Sequence, residues 1–162
     1  MIRKAEYKDL EELLEIYNYE VEHGVATLDL EKKTFADREK WFFEHQSDIH
    51  PLFVYEKDEK VAGYANLSPY REKEAYKSTV ELSVYVGKAH QGQGIATALL
   101  DEILAYAREN YEIHNVVSVI TSGNEVSIRL HEKFGFEFCG TIREVGMKFG
   151  KYLDIDNYSL IV

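Results

Sequence analysis

The stretch Thr79-Val80-Glu81-Leu82-Ser83-Val84-Tyr85-Val86 alternates without interruption and leads through a glycine-bearing loop into a helical pattern. That succession constrains the chain more than any other feature. Val80, Leu82, Val84 and Val86 fall on one face of a strand, and Glu81, Ser83 and Tyr85 on the other. From about residue 94 to 110 the period changes to that of a helix, with Ala96, Leu99, Leu100, Ile103, Leu104 and Ala107 on its apolar side. A strand, a tight loop and a long amphipathic helix require a sheet with helices packed on it.

The flanking pattern extends this reading. Residues 9–22 and 36–46 predict helices, the first through Leu10, Leu13, Leu14, Tyr17 and Val21, the second carrying Trp41 and Phe42. Residues 51–56 and 61–67 predict a hairpin about the polar turn 57–60. Asn-Val-Val-Ser-Val-Ile-Thr at 115–121 is a β-branched strand. Asn124 caps a helix ending near residue 133, with Gly135 as its stop, and strands fill 136–147 and 153–161. Hairpins come first and strand–helix units follow, so the fold class is mixed α/β in a single domain, 1–162.

Charge narrows the partners. With 19 Lys and Arg against 29 Asp and Glu, the formal net charge is −10, which repels nucleic acid and anionic membranes. The apolar runs fall short of a membrane span, and the beginning of the sequence does not read as a signal peptide. The lone cysteine, Cys139, fits a reducing cytoplasm and, set in Phe-Glu-Phe-Cys, reads as a small buried hydrophobe. The histidines at 23, 45, 50, 90, 114 and 131 show no metal-ligand spacing, so no metal is expected.

The loop Gln91-Gly92-Gln93-Gly94-Ile95-Ala96 allows two readings. Glycines ahead of a helix N-terminus let backbone N–H groups approach phosphate oxygens, yet the same residues make an ordinary tight turn. The Walker pattern is missing, and Thr97 stands where a dinucleotide-binding fingerprint wants a third glycine.

Taken with its surroundings, that loop resembles the pyrophosphate-binding loop of the GNAT superfamily of N-acetyltransferases. Ala75 to Val86, Asn124 to Phe136 and Val145 to Asp154 resemble its phosphinothricin acetyltransferase branch, as do Ile16-Tyr17-Asn18, Ala26-Thr27 and Trp41-Phe42. The resemblance implies a central, mixed, mostly antiparallel, twisted sheet flanked by about four helices. It implies acetyl-CoA as co-substrate and a small-molecule primary amine as acceptor, of the phosphinothricin, methionine sulfone or methionine sulfoximine type. It also implies pairing as a homodimer.

The resemblance assigns roles as well. Gln91, Gly92, Gln93, Gly94, Ile95 and Ala96 would hold the pyrophosphate. Ser83, Val84, Tyr85 and Val86 would flank the pantetheine, and Asn124 and Ser127 would contact its arm. Glu81 becomes the base, acting directly or through a water. His131 becomes either the acid that protonates the departing thiolate or an orienting donor. Arg71, Lys73 and Tyr76, with Lys148, are expected to meet the acceptor. Lys73 stands where relatives often carry Arg, and lysine cannot make a planar two-point clamp on an acid group. Tyr152 and Ser159 also replace the residues frequent there, Trp and Gln. A peptide acetyltransferase and an acyl-CoA-binding module without turnover are the competing readings.

Overall fold

The computed structural model describes residues 1–162. Strands β1 (Ile2–Lys4), β2 (Leu52–Lys57), β3 (Lys60–Pro69), β4 (Thr79–Val86), β5 (Asn115–Thr121), β6 (Glu137–Lys148) and β7 (Lys151–Ile161) form one sheet. Its strand order is β1-β2-β3-β4-β5-β7-β6. Helices α1 (Leu10–His23), α2 (Phe35–Glu44), α3 (Ile95–Glu109) and α4 (Glu125–Lys133) flank it. Every neighbouring pair is antiparallel except β4 and β5. The mixed sheet and its helices match the expected fold.

The alternation in β4 decides which helices lie on which face. Val80 and Leu82 pack with Ile95, Leu99, Leu100, Ile103 and Leu104 of α3 in the larger core. The opposite face belongs to α1 and α2, where Leu10, Leu13, Ile16 and Phe42 pack on Val54, Val61 and Tyr64. Leu99, Leu100, Ile103 and Leu104 have no exposed surface. Truncating any one of them to Ala should cost about 2–5 kcal/mol.

Strand β1 has no counterpart in the sequence reading, because three residues show no period. Tertiary contacts form it. Arg3 hydrogen bonds Asp9 at 2.8 and 2.9 Å and Glu56 at 2.7 Å, which fastens the strand to the edge of β2. One further reading is corrected. Cys139 is exposed, its Sγ 3.2 Å from Ser159 Oγ, because β6 is an edge strand with little packed on it. The apolar run around it suggested burial only on the assumption that both faces were covered.

The position of the site follows from one topological fact. β4 pairs with β3 along its length, from Gly63↔Val86 to Pro69↔Val80. With β5 it pairs only from Thr79↔Asn115 to Glu81↔Val117. Beyond Glu81 the two parallel strands separate, and β5 keeps only its other partner, β7.

Candidate active site

The separation opens a wedge whose walls are Leu82, Ser83, Val84 and Tyr85 from β4 and Ser118, Val119, Ile120 and Thr121 from β5. Asn124, Ser127 and His131 of the α4 segment close one side, and Ala26 the other. The cleft encloses about 60 Å³. Glu81 is the last residue of the paired stretch, so it stands at the apex. It is partly buried, and that desolvation raises its carboxyl above the ordinary range.

The wedge carries a polar orphan. Ser118 Oγ is enclosed and has no hydrogen-bond partner. A buried hydroxyl left unpaired is costly, and a ligand with polar groups would satisfy it. The main-chain groups of β4 past Glu81 likewise have no strand beside them on the β5 side. An extended ligand with amides suits such an edge, as an added strand would.

The glycine loop leads directly from this wedge. Gly92 and Gly94 take φ of +74° and +79°, and a Cβ at either would meet nothing within 4 Å. Their backbone is therefore open to an approaching group and adopts a conformation that side chains disfavour. Gly94 caps α3, whose first turn holds no acidic residue, while buried Ile95 anchors the loop to the core. Gln91 and Gln93 are exposed, and Lys57 donates to Gln93 Oε1 at 2.7 Å. This lysine adds a cation beside the loop that the sequence reading did not assign. Unpaired N–H groups, a helix dipole and a nearby ammonium suit a diphosphate.

On α4, Asn124 accepts from the Ser127 N–H at 3.3 Å as the helix cap. His131 is buried, with Nδ1 2.7 Å from the Ser127 carbonyl and 3.4 Å from its hydroxyl. A carbonyl can only accept, so Nδ1 holds the proton and Nε2 offers a lone pair. Burial lowers the imidazole pKa below 6.5.

A second space lies on the other face of the sheet, beneath α1 and α2. Side chains of Tyr64, Asn66 and Ser68 from β3, with Ser83 and Tyr85 from β4, floor a chamber of about 330 Å³. Tyr17, Arg38 and Trp41 roof it. The register aligns Tyr64 with Tyr85, Asn66 with Ser83, and Ser68 with Glu81, so Glu81 continues the row that floors the chamber. Ser83 and Tyr85 belong to both spaces. The chamber and the wedge thus converge on one short length of β4.

His45 supports the floor. Its Nδ1 donates to the Trp41 carbonyl at 2.7 Å, and its Nε2 accepts from Ser68 Oγ at 2.8 Å and Asn66 Nδ2 at 3.2 Å. Burial lowers this imidazole below 6.5 as well.

The expected acceptor residues divide. Arg71 and Lys73 are exposed around a separate cavity of about 450 Å³, where Arg71 stacks on Tyr70 and Tyr76 at 5.1 and 5.7 Å. They do not line the chamber. Lys148 departs from expectation. It is buried, and its ammonium donates to the Thr27 carbonyl at 2.9 Å and the Glu20 carbonyl at 3.3 Å. With Thr121 Oγ1 bonded to the Val25 carbonyl at 2.6 Å, it straps the loop after α1 across the mouth of the wedge. Its place in the Val145 to Asp154 stretch does not reveal that the side chain is committed to main chain.

Sequence reasoning did not assign Arg38, Tyr64, Asn66 or Ser68 to a site. Two signals were present: Arg38 and Trp41 at helical i, i+3 spacing, and polar Asn66 inside an otherwise apolar strand.

The profile of the acetyltransferase (GNAT) domain matches residues 2–156. The chain belongs to that family. It is an N-acetyltransferase. It is 38% identical to a phosphinothricin N-acetyltransferase of Streptomyces coelicolor, over 97% of this chain and 93% of that one. It is 37% identical to an L-methionine sulfoximine/L-methionine sulfone acetyltransferase of Salmonella typhimurium, over 95% and 90%. The crystal structure of a ribosomal-protein-alanine N-acetyltransferase from Brucella melitensis superposes with a TM-score of 0.96 at 39% identity, covering 100% and 99% of the two chains. An acetyltransferase from Salmonella typhimurium, solved with its cofactor acetyl-CoA, gives 0.94 at 36% identity over 99% and 92%.

Proposed function

We propose that this acetyltransferase moves the acetyl group of acetyl-CoA to the primary amine of a small amino-acid-like acceptor, by direct attack in a ternary complex. The observation that carries the reading is the convergence at Ser83 and Tyr85 of an edge-lined wedge and a side-chain-lined chamber, with Glu81 in the same row. Donor and acceptor would each have a space, and the two spaces share Ser83 and Tyr85, two and four residues along β4 from Glu81.

The residues present fit the donor. Gln91, Gly92, Gln93, Gly94, Ile95 and Ala96 would hold the diphosphate, with Lys57 beside them. The main chain of Val84 and Val86 would bond the pantetheine amides, and Ser118, Asn124 and Ser127 would meet its polar atoms. When bound, acetyl-CoA supplies an acyl group activated as a thioester.

The chemistry left to the protein is proton handling and charge stabilisation. An amine enters as an ammonium and must lose a proton before it can attack. Glu81, with its carboxyl raised by burial, is closer in pKa to that task than an exposed glutamate. A main-chain N–H of β4 near Val84 would stabilise negative charge on the acyl oxygen. His131 in its resting tautomer presents an acceptor at Nε2. It protonates a thiolate only after taking up a proton, and its lowered pKa makes the resulting imidazolium a strong donor.

The test is a screen that follows thiol release with methionine sulfone, methionine sulfoximine, phosphinothricin, polyamines and short peptides. Release with an amino-acid amine supports the proposal, and release with peptides alone contradicts it. The likeness to the ribosomal-protein-alanine acetyltransferase favours that second reading, and peptides beginning with alanine probe it.

We further propose that the protein works in the cytoplasm as a homodimer. Phe138, Ile142, Val145 and Met147 of β6, with Tyr152 of β7, are each at least half exposed, an apolar surface that a second copy would cover. Sedimentation that returned a monomer at micromolar concentration would contradict this.

A further inference from the structure

His45 is buried and takes no part in the proton handling assigned to Glu81 and His131. Its ring is held on both sides. Nδ1 donates to the Trp41 carbonyl at 2.7 Å, which leaves Nε2 as a lone pair. Two groups of β3 face that lone pair, Ser68 Oγ at 2.8 Å and Asn66 Nδ2 at 3.2 Å. An atom without a proton requires donors around it. The Asn66 amide therefore presents its nitrogen and not its oxygen, and the Ser68 hydroxyl directs its single proton at His45. Asn66 Nδ2 also stands 3.0 Å from Ser68 Oγ and donates there as well.

A serine hydroxyl carries one proton and two lone pairs. In Ser68 the proton points at His45 and Asn66 takes one lone pair, so a single lone pair remains. Rotating the hydroxyl would break its bond to Nε2, and the group is thereby fixed as an acceptor. Ser68 is half-buried and lines the chamber. Its cross-strand partner is Glu81. Partners on neighbouring antiparallel strands share a face, with Cβ atoms about 4.5–5.5 Å apart. Glu81 takes part in none of the ion pairs of the molecule. Two acceptors of hydrogen bonds thus stand side by side at the apex of the wedge, on the chamber's face of the sheet.

We propose that Ser68 binds the amine of the acceptor beside Glu81, with His45 and Asn66 as positioning residues that fix its hydroxyl as an acceptor. This rests on the acetyltransferase reading above and adds to it a binding residue and the two side chains that aim it. An ammonium has three N–H groups. One faces Glu81, which takes its proton, and a second is held by Ser68. With that N–H held, the nitrogen keeps its place while the proton leaves, as a near-attack geometry requires. The cross-strand spacing suits one small group bridging both side chains. A hydroxyl that can only accept also discriminates. It takes a donor such as an amine and repels a group that offers lone pairs alone.

Binding separates this role from packing. With CoA in the donor site, calorimetry on Ser68→Ala should show L-methionine sulfone weakened about 10-fold or more. The deamino analogue, 4-(methylsulfonyl)butanoate, should keep its affinity within twofold. In steady state, kcat/KM for the sulfone amino acid should fall about 10- to 100-fold, with the KM for acetyl-CoA within twofold. Ser68→Thr keeps a hydroxyl and should recover part of the loss. His45→Phe removes the group that aims Ser68 and should reproduce the selective weakening of the amine ligand.

The wild-type chain gives a reading that needs neither a variant nor turnover. In nitrogen NMR at about pH 8, methylammonium chloride should shift the His45 Nε2 resonance through Ser68, and equal sodium chloride should not. A resonance that ignored methylammonium would overturn the proposal. So would Ser68→Ala weakening both ligands in equal proportion, or neither. If no amine released thiol, the enzymatic reading would fail, while the NMR titration would still decide whether Ser68 takes an amine.

Discussion

The two spaces that meet on β4 are built in opposite ways. The wedge and the loop that leads from it offer mainly backbone: a strand edge without a partner, two glycines with positive φ, and a helix N-terminus. The chamber is made of side chains brought from α1, α2, β3 and β4, among them a buried arginine. A backbone site tolerates many sequences and binds what every donor of one class shares. A side-chain site is particular to its ligand. On the proposed reading, the common co-substrate belongs in the wedge and the choice of acceptor in the chamber.

Replacing Glu81 with Gln attacks the point where the two halves join, and it carries the largest expected effect. Steady-state assays should show kcat reduced about 100- to 10,000-fold, with calorimetric acetyl-CoA affinity within threefold of wild type. The same change should leave the folded state unharmed. The native carboxyl binds its proton more tightly than the unfolded one, so its contribution to stability declines as pH rises from about 4.5 through the raised folded value. Glu81→Gln should therefore melt at an equal or higher temperature at pH 7.5 in a thermal scan.

Gly94→Val separates the wedge from the chamber. A β-branched residue at φ +79° is strained, and its side chain would cover the loop's N–H groups. Kinetics should show the KM for acetyl-CoA rising about tenfold or more, with the acceptor's KM little changed.

Two buried imidazoles compare the sides through pH. His45 under the chamber and His131 at the wedge both have pKa values depressed by burial. As pH falls through about 6.5, the unfolded chain takes up protons that the folded chain refuses, so stability drops. The loss levels off once the lower folded values are passed. Urea titrations between pH 8 and 5 should show this, and His45→Gln and His131→Gln should each flatten part of the slope. A smaller effect is expected at the cap of α4. Asn124→Ala should cost about 1 kcal/mol in the same titrations, through the bond from the Ser127 N–H.

The two sides also differ in how far the sequence discloses them. Strands β4 and β5 were legible to the residue, since alternation and β-branching are local properties. Gln91 to Ala96 stood out because positive φ demands glycine, and Asn124 because capping demands a short acceptor. The chamber depends on Tyr17, Arg38, Trp41 and Tyr64, which approach one another only once α1 and α2 lie across β3. No local period announces such a group. For the same reason the sequence does not disclose that Lys148 bonds main chain, that Cys139 is exposed or that β1 forms. In each case the deciding neighbour is far away along the chain: Thr27 for Lys148, an uncovered strand edge for Cys139, Glu56 for Arg3.

The division of labour is tested most directly by a crystal structure of Glu81→Gln with acetyl-CoA and L-methionine sulfone both bound. The account predicts the diphosphate on the N–H groups of the Gly92–Gly94 loop and the pantetheine amides on β4 between Val84 and Val86. The amine should face residue 81, with the rest of the acceptor in the chamber. A pantetheine chain lying outside the wedge, or an acceptor seated among Arg71, Lys73 and Tyr76 with the chamber untouched, would contradict it.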